Sequence, residues 1–522
     1  MKKVLYAAVI IFPLLVLIIF PKWTVDDAYI YYRYADNLAK YGELNWNVGE
    51  SPVEGYTGVA LPVLLAGFIK AGGSPVTGSH ILGVLAYILG FVMLFLILRR
   101  LKLSHAGRFF GLFFYSATPI IFTHVLSGLD TMLFISGILT TLYAFMWVLE
   151  DSGRKTLKEV SLLLSALLLG FVRPEGLAFG GLCVAVAAYV KLRRNRGELL
   201  WYLAKSFLVY FIPTVLYFWW RFDYYGQLLP NTFFVKTNVG FSISNLMDLA
   251  RFLIRYFTAP LAACVLLFAA DPDALWRKIK NGQTIPNIRR AFMLLAPYFI
   301  FIVLLLIQFS HAHLNMNYAY RFYLPILPAL WITSALFFDW GWSALNSIKA
   351  ARPVAQKFTM IFITVLFAYQ ASFYLAKLKE EIRFARDEKL SLEGQHIAIG
   401  KFLKEKIPAS EWIVVYIDAG AIPYFSGLKT VDFGGLNDRY LAKNSQNLEE
   451  KIDYFYAHNP GAVVFTSESR DSLVYGDEAE AITKDKRFKK YSLVKKYFSP
   501  TAPPRNYHEF LFVRNDLATK LK

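Results

Sequence analysis

A chain with apolar runs long enough to cross a lipid bilayer has few folds open to it, because every backbone polar group in hydrocarbon must be satisfied within the protein. Runs of this kind lie near residues 4–20, 80–98, 108–126, 130–149, 160–172, 175–190, 202–220, 253–270, 291–309, 319–339 and 357–375. Their number predicts a polytopic α-helical membrane protein of about eleven transmembrane helices. Composition agrees: 56% of the 522 residues are hydrophobic and 18% charged, against about 45–50% and about 25% in soluble domains. The aromatic residues (45 Phe, 32 Tyr, 11 Trp) suit membrane interfaces and carbohydrate contacts. Disorder, collagen and a coiled coil are excluded. So is a disulfide framework, because the two cysteines, Cys183 and Cys264, sit inside apolar runs and read as small buried hydrophobes.

The net charge of +18 is unevenly placed. From Ala376 onward 24 basic residues face 21 acidic ones, leaving 32 basic against 17 acidic in the apolar part. That excess lies in short loops between apolar runs, which argues against a nucleic-acid partner and for the positive-inside pattern. With Lys2 and Lys3 in the cytoplasm, the alternate loops at 99–108, 154–158, 191–196, 277–290 and 349–357 are all basic and all inside. The N-terminal run is followed by Pro21-Lys22-Trp23 and no small-residue cleavage site, so it reads as a retained anchor. An odd span count then puts the tail outside the plasma membrane.

Three domains follow. Residues 1–375 form the membrane domain, 376–390 a linker helix, and 391–522 a soluble extracytoplasmic α/β domain. In the tail, strand signals at 412–417, 429–433, 461–466, 491–498 and 509–513 alternate with helical periods at 395–407 and 447–459. The first outside loop, 21–79, holds a thirteen-residue apolar stretch at 58–70. At 1.5 Å per residue this covers roughly 20 Å, too short to span, and it is expected to lie in the interface.

That loop also carries the best chemistry. Asp26 and Asp27 stand about six residues beyond a span and open a tyrosine-rich helix. One acid is expected to cap the helix; the other is expected to face an outside cavity, as a general base or a divalent-cation ligand. Arg173, Arg221, Lys236 and Arg321 lie at outside ends of spans, where each either snorkels to the headgroups or meets an anionic ligand. Asp130 opens a span and is a second cap candidate, or a carboxylate that orients an acceptor. Glu54 is read as a solvent-facing acid of the loop. Tyr29 and Tyr56 fit an aromatic belt or sugar stacking. His313, in His311-Ala312-His313, suits a hydrogen bond or sugar contact better than metal ligation.

The stretch Asp26-Asp27-Ala28-Tyr29-Ile30, then Arg33-Tyr34-Ala35, Asn47-Val48-Gly49-Glu50 and Val53-Glu54-Gly55-Tyr56-Thr57, resembles the first loop of the GT-C superfamily. These are polytopic glycosyltransferases that use polyprenyl-phosphate-linked sugars. The subset most similar includes bacterial terminal arabinofuranosyltransferases and related cell-envelope enzymes. Ser127-Gly128-Leu129-Asp130-Thr131, Arg173-Pro174-Glu175-Gly176, Tyr225-Gly226 with Leu228-Leu229-Pro230-Asn231-Thr232, and Tyr320-Arg321-Phe322 look like the same subset. So do Asp418-Ala419-Gly420-Ala421-Ile422-Pro423-Tyr424 and Asp432-Phe433-Gly434-Gly435-Leu436-Asn437-Asp438 in the tail, for which the sequence offers no mechanism.

The resemblance implies a membrane glycosyltransferase that moves a pentose such as arabinofuranose, or a hexose, from a polyprenyl-phosphate donor. The acceptor is an envelope glycan, lipid or protein on the outer face of the plasma membrane, and the transfer is inverting. Asp26 and Asp27 are the catalytic candidates, and the residues expected to hold a divalent cation (Mg, Mn or Ca) if one is used, with Asp130 able to share it. Arg173, Arg321, Arg221 and Lys236 are assigned to the donor phosphate. Asp130, Tyr29, Tyr56, Glu54, Asn231 and His313 are assigned to the acceptor and sugar. A lipid-linked sugar transporter or flippase and a non-catalytic envelope assembly protein are the alternatives. Charges clustered at span ends and the lack of a visible repeat weigh against a transporter.

Overall fold

A computed structural model describes the chain except residues 1, 151–152, 238–239, 270–284, 315–316, 348–352, 444–446, 475, 501–506 and 522. The side chains of Lys236 and Cys264 also lie outside the described set. Among the described residues, six helices are long and apolar enough to cross a membrane: Pro75–Arg100, Thr131–Val148, Glu175–Arg194, Arg196–Tyr225, Arg290–Ser310 and Tyr318–Ser343. Helices also cover Lys2–Ile19, His105–Ala117, Lys155–Val172, Ile243–Ala269 and Pro353–Leu392, each over one of the remaining apolar runs.

Sequence neighbours pack as spatial neighbours. Pro75–Arg100 lies on Thr131–Val148, which lies on Lys155–Val172, which in turn meets Glu175–Arg194. Thr131–Val148 is apolar around nearly its whole circumference, and it is the most enclosed of the six. By contrast, Arg196–Tyr225 presents Leu208, Phe211, Leu216 and Trp219 outward, as a lipid-facing helix does.

Above these helices the loop after the first helix folds into Asp26–Tyr41 and Ala60–Lys70, which pack on each other. The 40-residue helix Pro353–Leu392 runs about 60 Å without interruption from the membrane layer into the tail. Its last turns continue through a π-helical turn, Glu393–Ile397, into Ala398–Lys406. The tail is built on a five-stranded sheet of order β2-β1-β3-β5-β4. β1 (Trp412–Tyr416), β2 (Lys429–Asp432) and β3 (Ala462–Ser467) run parallel; β5 (His508–Arg514) and β4 (Tyr491–Tyr497) add an antiparallel edge. β3 is buried along its whole length, as a central strand covered on both faces requires.

The tail does not float. Arg33, buried in Asp26–Tyr41, donates to the carbonyls of Pro423 (2.5 Å) and Leu428 (2.8 Å) in the tail and to that of Trp46 (2.8 Å) in its own loop. Trp46 Nε1 donates to Thr430 O at 3.1 Å. At Gly55 a Cβ would fall 1.8 Å from Asn437 Oδ1, so only glycine admits the Asp432–Asp438 turn against the first loop.

Candidate active site

Adjacent residues on a helix point about 100° apart, and this separates the two acids that open Asp26–Tyr41. Neither caps it through its side chain: the N-cap position is Val25 and carries no side-chain cap bond. Asp26 turns to the tail. Its carboxylate accepts from Gly420 N–H (2.8 Å), Ala421 N–H (2.9 Å) and His396 Nδ1 (2.9 Å). A Cβ on Gly420 would sit 2.0 Å from Asp26 O and 2.4 Å from Asp26 Oδ2, which gives the tail's Asp-Ala-Gly-Ala segment its physical reason.

Asp27 turns the other way, into a cavity of about 240 Å³ between the first loop, the outer ends of the helices and the tail. Arg321 Nη1 donates to Asp27 Oδ2 at 2.9 Å. Across the cavity Arg173 donates to Asp130 Oδ1 through Nη2 (2.6 Å) and Nε (3.1 Å), and its guanidinium lies over the Phe134 ring. Asp130 does occupy the N-cap position of Thr131–Val148, but its carboxylate makes no cap bond and serves Arg173 instead.

Glu175, Tyr31, Thr57 and His313 complete the polar wall, with Leu229, Phe309, Phe322 and Leu436 as apolar neighbours. Three buried polar atoms on this wall have no hydrogen-bond partner among the described residues: Asp130 Oδ2, Glu175 Oε2 and Arg321 Nε. Buried polar groups are rarely left so. A cavity that keeps both signs of charge unsatisfied beside aromatic rings is shaped for a polar, partly anionic ligand with an apolar part. Leu436 belongs to the tail, so the tail supplies part of the wall.

Several residues expected at the site lie elsewhere. Asp26 is off the cavity wall, for the reason above. Arg221 and Glu54 pair at 2.7 Å with each side chain 1% exposed, so Arg221 is not offered to a phosphate and Glu54 does not face solvent or acceptor. Burial dominates at Glu54 and raises its carboxyl to about 7 even beside the guanidinium. Tyr29 packs edge-on to Tyr32 and against Tyr424 and Phe425, and Tyr56 bonds the Tyr225 hydroxyl at 2.9 Å. Asn231 is buried beside the wall, accepting from Gln227 Nε2 at 2.8 Å while its N–H meets Glu54 O. These five residues hold the loop in shape.

Residues that sequence reading passed over are Thr57 and Gln308 on the wall, and His396 and Glu509 in the tail. Thr57 follows Tyr56 in the loop motif and was within reach of a motif argument. His396 lies 370 residues from Asp26, and no local pattern announces that contact.

Residues 381–513 match a family model described as a domain of unknown function, DUF8728. No curated protein matches the chain in sequence. Among solved structures the chain is similar to ArnT from Cupriavidus metallidurans in the apo state, at TM-score 0.60 and 14% identity over 99% of this chain and 98% of that one. The same protein bound to undecaprenyl phosphate gives TM-score 0.58 at 12% identity, over 98% and 97%. The archaeal oligosaccharyltransferase AglB from Archaeoglobus fulgidus, in complex with an inhibitory peptide and a dolichol-phosphate, gives 0.51 at 13% identity, over 89% of this chain and 69% of that one. Agreement along nearly the whole length at such low identity is agreement of fold. The chain is a polytopic helical membrane protein that shares its fold with ArnT and, more distantly, with AglB.

Proposed function

We propose that this protein is a glycosyltransferase of the outer face of the plasma membrane, taking a sugar from a polyprenyl-phosphate donor to an envelope glycan, lipid or protein. The observation that carries the reading is the pairing, in one cavity, of an accessible carboxylate with two guanidinium groups: Asp27 with Arg321, and Arg173 beside it on Asp130. ArnT with undecaprenyl phosphate and AglB with a dolichol-phosphate support a lipid-phosphate ligand for this fold. The positive-inside loops support eleven spans, a cytoplasmic N-terminus and an extracytoplasmic tail.

In this reading Asp27 is the base. Arg321 holds its Oδ2, while Oδ1 carries no hydrogen bond among the described residues and can accept from an acceptor hydroxyl. The acceptor oxygen attacks the anomeric carbon from the face opposite the phosphate. As the new C–O bond forms, the bond to phosphate breaks, its electron pair stays on the phosphate oxygen and the proton passes to Asp27. Arg173 and Arg321 meet the charge that grows on the leaving phosphate, which stabilises the transition state more than the ground state. The donor sugar is a pentose, arabinofuranose being the motif-based choice, or a hexose. The arginines on the cavity wall are assigned the charge of the leaving phosphate.

The test is a transfer assay in detergent with a panel of decaprenyl- and undecaprenyl-phosphate sugars, comparing the unsubstituted chain with Asp27→Asn and Asp26→Asn. Asp27→Asn is expected to lower the rate by about 10²–10⁴-fold with the fold intact. Asp26→Asn should act through loosened tail docking, with a lower melting temperature. Equal rates in all three proteins would defeat the assignment.

A further inference from the structure

The tail meets the first-loop helix through a buried cluster that the transfer chemistry does not use. His396, on the π-helical turn, donates from Nδ1 to Asp26 Oδ1 (2.9 Å). Its other nitrogen, Nε2, faces two more acids: Glu509 Oε1 at 3.5 Å and Asp418 Oδ2 at 3.9 Å. Glu509 is fully buried, and its Oε1 accepts no hydrogen bond. The Thr466 hydroxyl lies 2.6 Å from Asp418 Oδ2 and 3.3 Å from Glu509 Oε2, so it positions both acids from the central strand. Among the described residues neither Asp418 nor Glu509 pairs with a lysine or arginine.

From these contacts we infer that His396 Nε2, Asp418 and Glu509 form a binding site for one divalent transition metal of the zinc class, with Asp26 orienting the histidine from its far nitrogen. The distances decide between this and a plain ion pair. A charged imidazole beside a carboxylate closes to about 2.7–2.9 Å, as Nδ1 does on Asp26 (2.9 Å), whereas Nε2 closes on neither Asp418 nor Glu509. Ligands that share a tetrahedral zinc at about 2.0–2.1 Å are about 3.3–3.5 Å apart, which is the Glu509 separation; Asp418, at 3.9 Å, must close by about 0.5 Å to join them. A carboxylate on the opposite ring nitrogen is the usual partner of a metal-bound histidine, because it fixes tautomer and ring plane. His396 and Asp418 bring ligand-type atoms within 4.8 Å of each other. Imidazole with carboxylate oxygens suits zinc and its neighbours better than magnesium or calcium. Such an ion ties β1, β5 and the π turn to the helix whose next residue, Asp27, lines the cavity.

The inference is independent of the donor sugar and is read without any transfer reaction. The full-length chain in detergent is stripped with chelator and titrated with zinc alone, then with cobalt alone. Metal content is measured by mass spectrometry, and the cobalt visible spectrum reports the geometry. One metal per chain with a tetrahedral-type cobalt band is expected. Glu509→Gln and His396→Gln should weaken zinc at least tenfold, and Asp27→Asn, one residue outside the cluster, should bind as the unsubstituted chain does. Should a variant fail to fold, zinc-edge absorption on the unsubstituted chain must report oxygen ligands with a single histidine nitrogen. Stoichiometry well below one, a spectrum without histidine, or zinc affinity unmoved in folded Glu509→Gln would overturn the site and leave a metal-free contact between imidazole and acids.

Discussion

Replacing Gly420 by Ala adds one methyl group at the point where the tail meets the helix that carries both first-loop acids. The added Cβ would lie 2.0 Å from Asp26 O, where contacts below 3.0 Å are essentially never found, so the backbones must part by about 1 Å. Both flanking bonds, Gly420 N–H at 2.8 Å and Ala421 N–H at 2.9 Å, then stretch to about 3.8–3.9 Å, beyond hydrogen bonding. Bonds to a charged acceptor contribute about 1.5–3 kcal/mol each, so the two together make about 3–6 kcal/mol of docking. A shift of that size at the helix start carries Asp27 with it, and a 1 Å misplacement of a reacting group can cost about 10²-fold in rate. Thermal melting of the solubilised chain, with limited proteolysis near the tail junction and a transfer assay, reads both effects. A Gly420→Ala protein that melts, resists protease and turns over as the parent does would refute the idea that this contact holds the site.

Other substitutions probe separate parts of the molecule. Glu54→Ala leaves Arg221 buried with no partner and should lower stability by about 3–5 kcal/mol, while Glu54→Gln, which resembles the neutral carboxyl, should lose much less in the same melt. Arg173→Lys keeps the charge but not the two-nitrogen contact with Asp130; kcat/KM for the donor should fall about 10–100-fold with little change in melting temperature. Burial lifts Asp432 from 3.8 to about 6, only partly offset by bonds from Asn437 and Gly434. Because the folded value is the higher one, its contribution is complete below about pH 4 and is lost as pH rises through about 6, on the order of 3 kcal/mol. Melting curves from pH 4 to 7 should therefore slope less in Asp432→Asn than in the unsubstituted chain.

Span positions were legible in the sequence because hydrocarbon imposes length and composition on each helix separately, with no partner needed. The strand segments of the tail were legible for a similar local reason: β3 reads Ala-Val-Val-Phe-Thr-Ser and is buried throughout. Among site residues, Asp27, Asp130, Arg173, His313 and Arg321 were within reach because each stands near the end of an apolar run, and they meet on one cavity wall. What the sequence could not give was direction. Asp26 and Asp27 are adjacent and chemically alike, and only the helical turn and the docked tail send one to Gly420 and the other to Arg321. Arg221 has the same depth and charge as Arg173, yet Glu54, a long-range partner, removes it from the cavity. Tyr56 and Tyr29 likewise sit in the right loop but pack inward on partners far along the chain.

The most direct examination of the central claim is a density map of the chain in nanodiscs with undecaprenyl monophosphate added. The phosphate is expected beside Arg173 and Arg321, with Asp27 across from it and the lipid tail leaving past Phe309 and Phe322. A phosphate bound elsewhere on the protein, with this cavity holding none at saturating lipid, would contradict the assignment of these residues to a lipid-phosphate donor.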